Sequence, residues 1–116
     1  MLFVCYPKCS TCKKAQAWLD ARGAKYDVRH IVEDNPTVDE LRRWHAASGL
    51  PLRRFYNTSG MLYREMALKD KLPTMSEDEM VDLLATNGML VKRPLLVLDD
   101  TVLVGFREKE WQATLE

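Results

Sequence analysis

The sequence lacks the features that define several large classes of protein. Its 116 residues contain no apolar run approaching the roughly 20 residues that a membrane-spanning helix needs, and no repeat, low-complexity tract or linker. Acidic and basic residues number 17 each, which gives a formal net charge of zero. An uncharged chain has no overall field that would attract nucleic acid or an anionic membrane. We therefore expect neither as a direct partner.

Cysteine is scarce, and its few positions are informative. The chain has three cysteines, all within the first twelve residues: Cys5, Cys9 and Cys12. A secreted disulfide scaffold would spread an even number along the chain, and the residues before Lys8 are too few for a signal peptide. We therefore expect a cytoplasmic protein. Clustered cysteines in that reducing compartment indicate either reactivity or metal binding.

The remaining composition is that of a folded domain. Hydrophobic residues make up 47% of the chain and charged residues 29%, as in ordinary globular proteins. A chain of this length buries roughly two-thirds of the surface that it exposes when unfolded, so it needs no disulfide or metal to fold. Residues 1–116 are therefore predicted to form a single domain.

The hydrophobic pattern predicts strands and helices at both ends of the chain and a helical middle. Capping boxes mark two helix starts, Thr37-x-x-Glu40 and Ser76-x-x-Glu79, and these helices are expected to end at Gly49 and at Asn87-Gly88. Two further helices are predicted at residues 10–21 and 107–115, and strands at residues 2–5, 25–32, 94–98 and 102–105.

This order of elements predicts an α/β fold of the thioredoxin-like kind. The first β-α-β unit places its two strands in parallel, with a right-handed crossover. The last two strands, joined at Asp99-Asp100, are predicted to form a hairpin that completes a four-stranded mixed sheet. Residues from about 37 to 88 then form an inserted helical subdomain.

The strongest chemical signal is Cys9-Ser10-Thr11-Cys12, at the junction of the first strand and the first helix. The unpaired N–H groups and the positive dipole end of a helix N-terminus stabilise an anion, and Lys8 adds positive charge. Both effects lower a thiol pKa. Cys12 lies one turn into the helix, on its apolar face, and is expected to be less exposed. The pattern predicts Cys9 as the attacking nucleophile and Cys12 as the resolving thiol.

Two other interpretations of the cysteines are open at this point. A structural zinc site needs four ligands, commonly paired at short spacing, whereas His30 and His45 have no such spacing, so no metal is predicted. Cys5 is either a small buried strand residue or a partner for Cys9 across the loop.

Arg93-Pro94 is the second candidate feature. A proline can open a strand, because its missing N–H need not be paired there. In a thioredoxin-like fold this proline is expected to be cis and to face the Cys9 loop, so that the Arg93 guanidinium lies near the sulfur and can hold a thiolate or an oxyanion. The alternative is a trans proline beside a solvated arginine.

Four stretches of the chain carry a resemblance to a known family. They are residues 6–15 (YPKCSTCKKA), 55–60 (FYNTSG), 90–95 (LVKRPL) and 104–106 (VGF). Together they resemble the arsenate reductase (ArsC)-like family, which includes the Spx regulators, nearly from end to end. The resemblance implies a thioredoxin fold with an inserted helical subdomain.

For the site, the resemblance implies that Cys9 matches the residue that attacks arsenate in true reductases and that Arg93 matches one of their oxyanion-binding arginines. It further implies substrate-binding roles for Lys8, Ser10, Thr11, Asn57 and Pro94. No cofactor is implied, because thioredoxin, glutaredoxin or a low-molecular-weight thiol supplies the electrons.

The sequence departs from the arsenate-reducing members in two ways. Cys12 adds a second cysteine where glutaredoxin-coupled enzymes usually have one. Two further oxyanion-binding arginines are replaced, by Asn57 and by Gly105 or its neighbour. Other bases could compensate: Lys8, Arg53, Arg54 and Arg64. The departures favour a CxxC-containing subgroup over a dedicated arsenate enzyme.

Three functions follow from the sequence. The first is a thiol–disulfide oxidoreductase that uses Cys9 and Cys12, with thioredoxin or glutaredoxin as its redox partner. The alternative is an Spx-like redox sensor whose Cys9–Cys12 disulfide alters its affinity for RNA polymerase. A further alternative is a genuine arsenate reductase. The oxidoreductase is favoured, because nothing in the sequence marks a partner surface.

Overall fold

The structure, a computed structural model, describes residues 1–115 and is built around a four-stranded sheet. The order of its strands is β2-β1-β3-β4, with β1 parallel to β2 and the other two pairs antiparallel. The strands are β1 (Leu2–Cys5), β2 (Asp27–His30), β3 (Leu95–Val97) and β4 (Val102–Val104). The mixed sheet and its C-terminal hairpin are therefore confirmed.

Helices connect and cover these strands. Those in the described residues are α1 (Ser10–Ala21), α2 (Val38–Ser48), α3 (Met61–Glu65), α4 (Leu68–Lys71), α5 (Glu77–Leu84) and α6 (Glu108–Leu115). Short 3-10 helices lie at Leu52–Phe55, Leu72–Thr74 and Gly88–Leu90. Helices α2 to α5 and these 3-10 helices all fall between β2 and β3, which is the helical middle that the sequence predicts.

The sheet separates two apolar clusters, because neighbouring residues of a strand face opposite sides. Phe3 and Cys5 of β1 face one side, where they pack with α1 and with Trp111 of α6. Val4 faces the other side, among residues of α2 and α5. Helices α1 and α6 therefore cover one face and the inserted helices cover the other, in the predicted thioredoxin-like arrangement.

The two capping boxes form as predicted. Thr37 Oγ1 accepts a hydrogen bond from Glu40 N at 3.2 Å, and Glu40 Oε1 accepts one from Thr37 N at 3.0 Å. Ser76 and Glu79 make the same pair of bonds at the start of α5. Each box satisfies N–H groups that the first helical turn leaves without partners. Helix α2 ends at Gly49, whose φ of 69° lies in the left-handed region. Glycine adopts this conformation with little strain, because it has no Cβ.

Several boundaries differ from the prediction. Strand β2 is shorter than 25–32, because it lies at the edge of the sheet and the chain turns after His30 to bury Ile31 completely. Helix α5 ends before Asn87-Gly88, and Asn87 instead accepts a hydrogen bond from Met89 N in a following 3-10 helix. Helices α3 and α4 were not predicted, because four or five residues are too few to show a helical period.

Candidate active site

Cys9 lies at the N-cap of α1. Its backbone is extended (φ −87°, ψ 119°), its N–H donates to the Tyr6 carbonyl at 3.0 Å, and its carbonyl accepts from Lys13 N–H at 3.1 Å. These two bonds fix the turn from β1 into the helix. The half-buried Cys9 side chain therefore lies at the positive end of the α1 dipole.

The surroundings of the Cys9 thiol favour its charged form. Partial burial acts to raise the pKa of Cys9, but the amide and thiol of Cys12 and the Arg93 guanidinium outweigh it and hold that pKa below its ordinary value. A thiol with a lowered pKa is ionised to a larger fraction at neutral pH. Cys9 thus has the electrostatics that a nucleophilic cysteine requires.

Cys12 lies in the opposite environment. It is buried in the cluster beneath α1, with only 3% of its surface exposed, and its sulfur accepts a hydrogen bond from Tyr6 N–H at 3.5 Å. Burial, and then the neighbouring sulfurs of Cys9 and Cys5, raise the pKa of Cys12 to about 12, although the Tyr6 amide acts to lower it. Cys12 therefore holds its proton more strongly than Cys9 does.

Cys5, the third thiol, ends β1. It is buried, with 7% of its surface exposed, as one of the two interpretations of the sequence expects. Burial, and then the charge of Cys9, raise the pKa of Cys5. The three thiols are all free.

The peptide bond between Arg93 and Pro94 is cis, as predicted. The Arg93 guanidinium lies 5.2 Å from the centre of the Tyr6 ring, and its Nη1 donates to the Met89 carbonyl at 3.5 Å. Its buried Nε has no hydrogen-bond partner among the described residues. Arg93 also lowers the Cys9 pKa, so the structure brings this arginine to the cysteine loop.

A small basic pocket lies beside the loop. It has a volume of about 200 Å³. Its lining residues are Thr11, Arg54, Lys92, Arg93, Val104, Gly105, Phe106 and Arg107. Three arginines and a lysine thus surround one cavity, and none of the described lining residues carries a carboxylate. Such a cavity suits an anion, because arginine binds oxyanions through two parallel hydrogen bonds.

Two of these bases were missed by the sequence reasoning. Lys92 directly precedes Arg93, and Arg107 follows Gly105 by two positions. Gly105 has no side chain to offer, but Arg107 lines the same pocket. The signal was present, since Lys92 lies within one stretch that carries the family resemblance and Arg107 directly follows another.

Not every predicted substrate-binding residue reaches this pocket. Thr11 lines it. Pro94 does not, although its carbonyl accepts a hydrogen bond at 2.8 Å from the N–H of Gly105, which does. Lys8, just before α1, and Ser10, its first residue, are exposed and do not line the pocket. Asn57 does not line it either, and its backbone N–H donates to the Leu90 carbonyl at 2.7 Å.

A larger cleft adjoins the basic pocket. Its volume is about 620 Å³, and it shares Arg54 and Lys92 with the smaller pocket. Its wall carries Arg53 and Lys69 in addition, over a floor that includes Leu52, Tyr56 and Met80. These four bases form no ion pair within residues 1–115. Glu77 is the one acidic residue among the described residues that line this cleft, so the cleft has a local excess of positive charge.

The structure offers no support for a metal site or a membrane segment within the described chain. No group of three or more His, Cys, Asp or Glu side chains there is placed to hold a metal ion. His30 instead accepts backbone hydrogen bonds from Val32 and Glu33 at 3.1 Å. None of the described helices has the length and apolar character for crossing a membrane.

Comparison with known proteins places this site in a family. The sequence model of the ArsC family matches residues 5–114. The Bacillus subtilis protein called Uncharacterized protein YusI is 49% identical over 112 residues, 97% of this chain and 95% of YusI. The Global transcriptional regulator Spx of Staphylococcus epidermidis is 27% identical over 105 residues, 90% of this chain and 78% of Spx.

A solved structure agrees with both sequence comparisons. The crystal structure of an ArsC family related protein from Bacteroides fragilis matches with a TM-score of 0.95 at 56% identity, over 97% of this chain and 94% of that one. The family match therefore extends over the sheet, the cysteine loop and the inserted helices together. The chain belongs to the ArsC family.

Proposed function

We propose that this protein is a cytoplasmic thiol–disulfide oxidoreductase. The observation that carries the proposal is the placement of two thiols: Cys9 lies half-buried at the N-cap of α1, where its pKa is lowered, and Cys12 is buried one turn on, where its pKa is raised. Exchange requires one thiol that attacks as a thiolate and a second that waits until the first is bonded. Cys9 and Cys12 have these two properties.

The reaction proceeds in two displacements. The Cys9 thiolate attacks one sulfur of a substrate disulfide, a bond forms to that sulfur, and the other substrate sulfur leaves as a thiolate that takes up a proton. Cys12 then loses its proton and attacks the Cys9 sulfur, which releases the second substrate thiol and leaves a Cys9–Cys12 disulfide. A reduced thioredoxin, glutaredoxin or low-molecular-weight thiol donates two electrons to restore both thiols.

The order of the two displacements has a physical cause. Burial is the largest cause of the raised Cys12 pKa and persists throughout, but while Cys9 is a thiolate its hydrogen bond with the Cys12 thiol and its charge raise that pKa further. These last two effects disappear once Cys9 carries a substrate sulfur, because a disulfide sulfur is uncharged. Formation of the mixed disulfide therefore makes Cys12 easier to deprotonate at the moment when it must attack.

Turnover with single-cysteine variants tests the proposal. The wild type should reduce a neutral disulfide such as 2-hydroxyethyl disulfide in the presence of a thioredoxin or glutaredoxin reducing system. Cys9→Ser should abolish turnover, and Cys12→Ser should accumulate the mixed disulfide on Cys9, visible by mass spectrometry. Equal activity in wild type and Cys9→Ser, or accumulation of the adduct on another cysteine, would contradict the assignment.

A redox sensor is the second candidate, and the similarity to Spx favours it. A sensor would use the same Cys9–Cys12 disulfide to change its affinity for RNA polymerase instead of turning over. Binding of purified RNA polymerase to the reduced and oxidised protein distinguishes the two. Affinity that depends on oxidation, without disulfide turnover, would favour the sensor over the enzyme.

Arsenate reduction is the third candidate, and the basic pocket beside Cys9 favours it. The pocket holds Arg93 together with bases at positions other than Asn57 and Gly105. An assay with arsenate and the thioredoxin and glutaredoxin systems tests it directly. Steady turnover that saturates at low-millimolar arsenate or below would establish arsenate as a substrate.

A further inference from the structure

The proposed exchange leaves Cys5 without a role, yet the fold directs this thiol toward Cys12. Alternation along β1 sends Val4 to one face of the sheet and Cys5 to the other, into the cluster that contains Cys12. Cys9 packs against the edge of the same cluster. The three thiols therefore belong to one packed region, in which Cys5 and Cys12 are buried and Cys9 is partly exposed.

Backbone contacts hold this arrangement. The N–H that donates to the Cys12 sulfur at 3.5 Å belongs to Tyr6, the residue directly after Cys5. The Tyr6 carbonyl in turn accepts from Cys9 N–H at 3.0 Å. A single residue thus ties Cys12 and Cys9 to the end of β1, where Cys5 lies.

Electrostatics agree with this proximity. The charge of Cys9 raises the pKa of Cys5, and Cys5 and Cys9 both raise the pKa of Cys12. Each thiol is therefore close enough to respond to ionisation of a neighbour. In the described chain, the group is shielded from solvent by α1 and by apolar residues of the sheet such as Phe3 and Leu96.

We infer that Cys5 is a second resolving thiol. It displaces Cys9 from the Cys9–Cys12 disulfide and so forms a buried Cys5–Cys12 disulfide. The inference rests on the proposed function, because the Cys9–Cys12 disulfide is its starting point. Cys5 loses its proton and attacks the Cys12 sulfur, the Cys5–Cys12 bond forms, and the Cys9–Cys12 bond breaks. Cys9 leaves with the electron pair as a thiolate, so no external oxidant or reductant is consumed.

The direction of the transfer follows from the leaving group. In thiol–disulfide exchange, the sulfur of lower pKa leaves more readily, and Cys9 is the thiol whose pKa the site lowers. Cys5 is a slow attacking group, because burial raises its pKa. The transfer should therefore be slower than closure of the Cys9–Cys12 bond. Its product stores two oxidising equivalents in the interior while Cys9 is again free to react.

The sequence offers a direct way to observe the transfer. Trypsin cleaves after Lys8 and Lys13, which puts Cys5 on peptide 1–8 and both Cys9 and Cys12 on peptide 9–13. After a brief diamide pulse, samples are quenched with acid over time, alkylated and digested. We expect an early disulfide within peptide 9–13, and later a link between the two peptides in which Cys9 carries the alkyl group.

Two variants separate this inference from the proposed function. Cys9→Ser should form the Cys5–Cys12 disulfide directly on oxidation. Cys5→Ala should stop at Cys9–Cys12, so that Cys9 stays unavailable for alkylation, whereas it recovers in the wild type. Thermal unfolding of both variants verifies that each is folded.

The outcomes are distinct. If Cys9–Cys12 forms but Cys5 stays alkylated at every time point, the inference is overturned and the proposed function stands. If Cys9–Cys12 never forms, the proposed function fails. A link between Cys5 and Cys9 in place of Cys5–Cys12 would also overturn the inference.

Discussion

Arg93 occupies an unusual position for a charged side chain. Its guanidinium lies over the Tyr6 ring at 5.2 Å, and its buried Nε lacks a partner among the described residues. A buried donor without a partner is costly and is normally retained only where something else benefits from it. Here the benefit is the stabilised charge on Cys9.

Replacing Arg93 by methionine should therefore slow the reaction of Cys9. Methionine keeps much of the apolar contact with Tyr6 but removes the positive charge, so the Cys9 pKa rises and its thiolate fraction at neutral pH falls. We expect alkylation of Cys9 by iodoacetamide near pH 7 to slow several-fold, with the rate against pH shifted upward. Mass spectrometry of each cysteine peptide measures the rates separately.

Arg22→Met is the matched control, because Arg22 also lies over an aromatic ring, that of Trp18 at 4.5 Å, but at the opposite end of α1. This variant should leave the rate of Cys9 alkylation unchanged at every pH. A Cys9 rate that is equal in Arg93→Met and wild type would show that the amide and thiol of Cys12 activate this thiol without Arg93. Faster alkylation of Cys5 or Cys12 in the wild type would show that the nucleophile is misassigned.

Asn57 is another single residue with a testable effect, because the family resemblance implies that it stands where arsenate-reducing members have an oxyanion-binding arginine. Each lost charge-assisted contact should cost on the order of 1.5–3 kcal/mol, so we expect arsenate reduction by the wild type to be weak. Asn57→Arg should lower the arsenate KM in a coupled assay, with Ser59→Arg, a nearby exposed position, as the control. If both variants lowered the arsenate KM equally, the change would reflect a general effect of added positive charge.

At the level of elements, an ion pair helps to join the edge of the sheet to the inserted helices. Arg29 of β2 donates to Glu40 of α2 through Nη2 at 2.8 Å, and a second bond runs from Nη1. Glu40 is also the capping-box residue of α2. This bidentate geometry, with the Arg29 hydrogen bond as the main cause, lowers the pKa of Glu40 to about 2 from its ordinary 4.5.

This pair should make stability sensitive to acid. A carboxyl whose pKa is lower in the folded state contributes stability above its unfolded pKa, and this contribution is lost as the pH falls from 4.5 toward 2. Arg29→Met should reduce the free energy of unfolding by about 1–2 kcal/mol at pH 7 and by less at pH 3. Urea unfolding at both pH values measures the difference.

Arg42→Met is the control, because Arg42 pairs with Asp78 at 2.8 Å while both side chains remain largely exposed. Exposed pairs contribute little, so this variant should unfold like the wild type at both pH values. If the loss in Arg29→Met were the same at pH 7 and pH 3, packing rather than charge would explain it.

The elements show why some of the structure could be predicted and some could not. The capping boxes at Thr37 and Ser76 were predictable because their partners lie three residues away. The Arg29–Glu40 pair was not, since it joins residues that only the tertiary fold brings together. The basic pocket was predicted only in part: Arg93 and Arg54 were candidates, but Arg107 lies far from them in sequence and only the fold brings it to the same cavity.

The whole molecule combines zero net charge with a concentration of bases around one cleft. Seventeen acidic residues balance seventeen basic ones, yet Arg53, Arg54, Lys69 and Lys92 line the larger cleft without ion pairs in the described chain. Attraction of an anion is therefore local. It should act only within the distance over which salt leaves charges unscreened.

Reaction rates at different ionic strengths test this. The screening length falls from about 30 Å at 0.01 M salt to about 3 Å at 1 M. Reaction of Cys9 with the dianionic disulfide 5,5′-dithiobis(2-nitrobenzoate) should slow several-fold over this range. The neutral 2-hydroxyethyl disulfide should show little change. An equal response to both reagents would mean that the cleft bases do not act on substrates of Cys9.

The edge strand β2 has a consequence for how these molecules behave when crowded together. An edge strand presents unpaired backbone groups that can template growth of the sheet into a neighbouring molecule. Here the strand has only four residues, and although Val28 is 57% exposed, the charged Asp27 and Arg29 lie on either side of it. Short edge strands and charged side chains limit such pairing, so the four residues of β2 and its two charged side chains protect it against edge-to-edge aggregation.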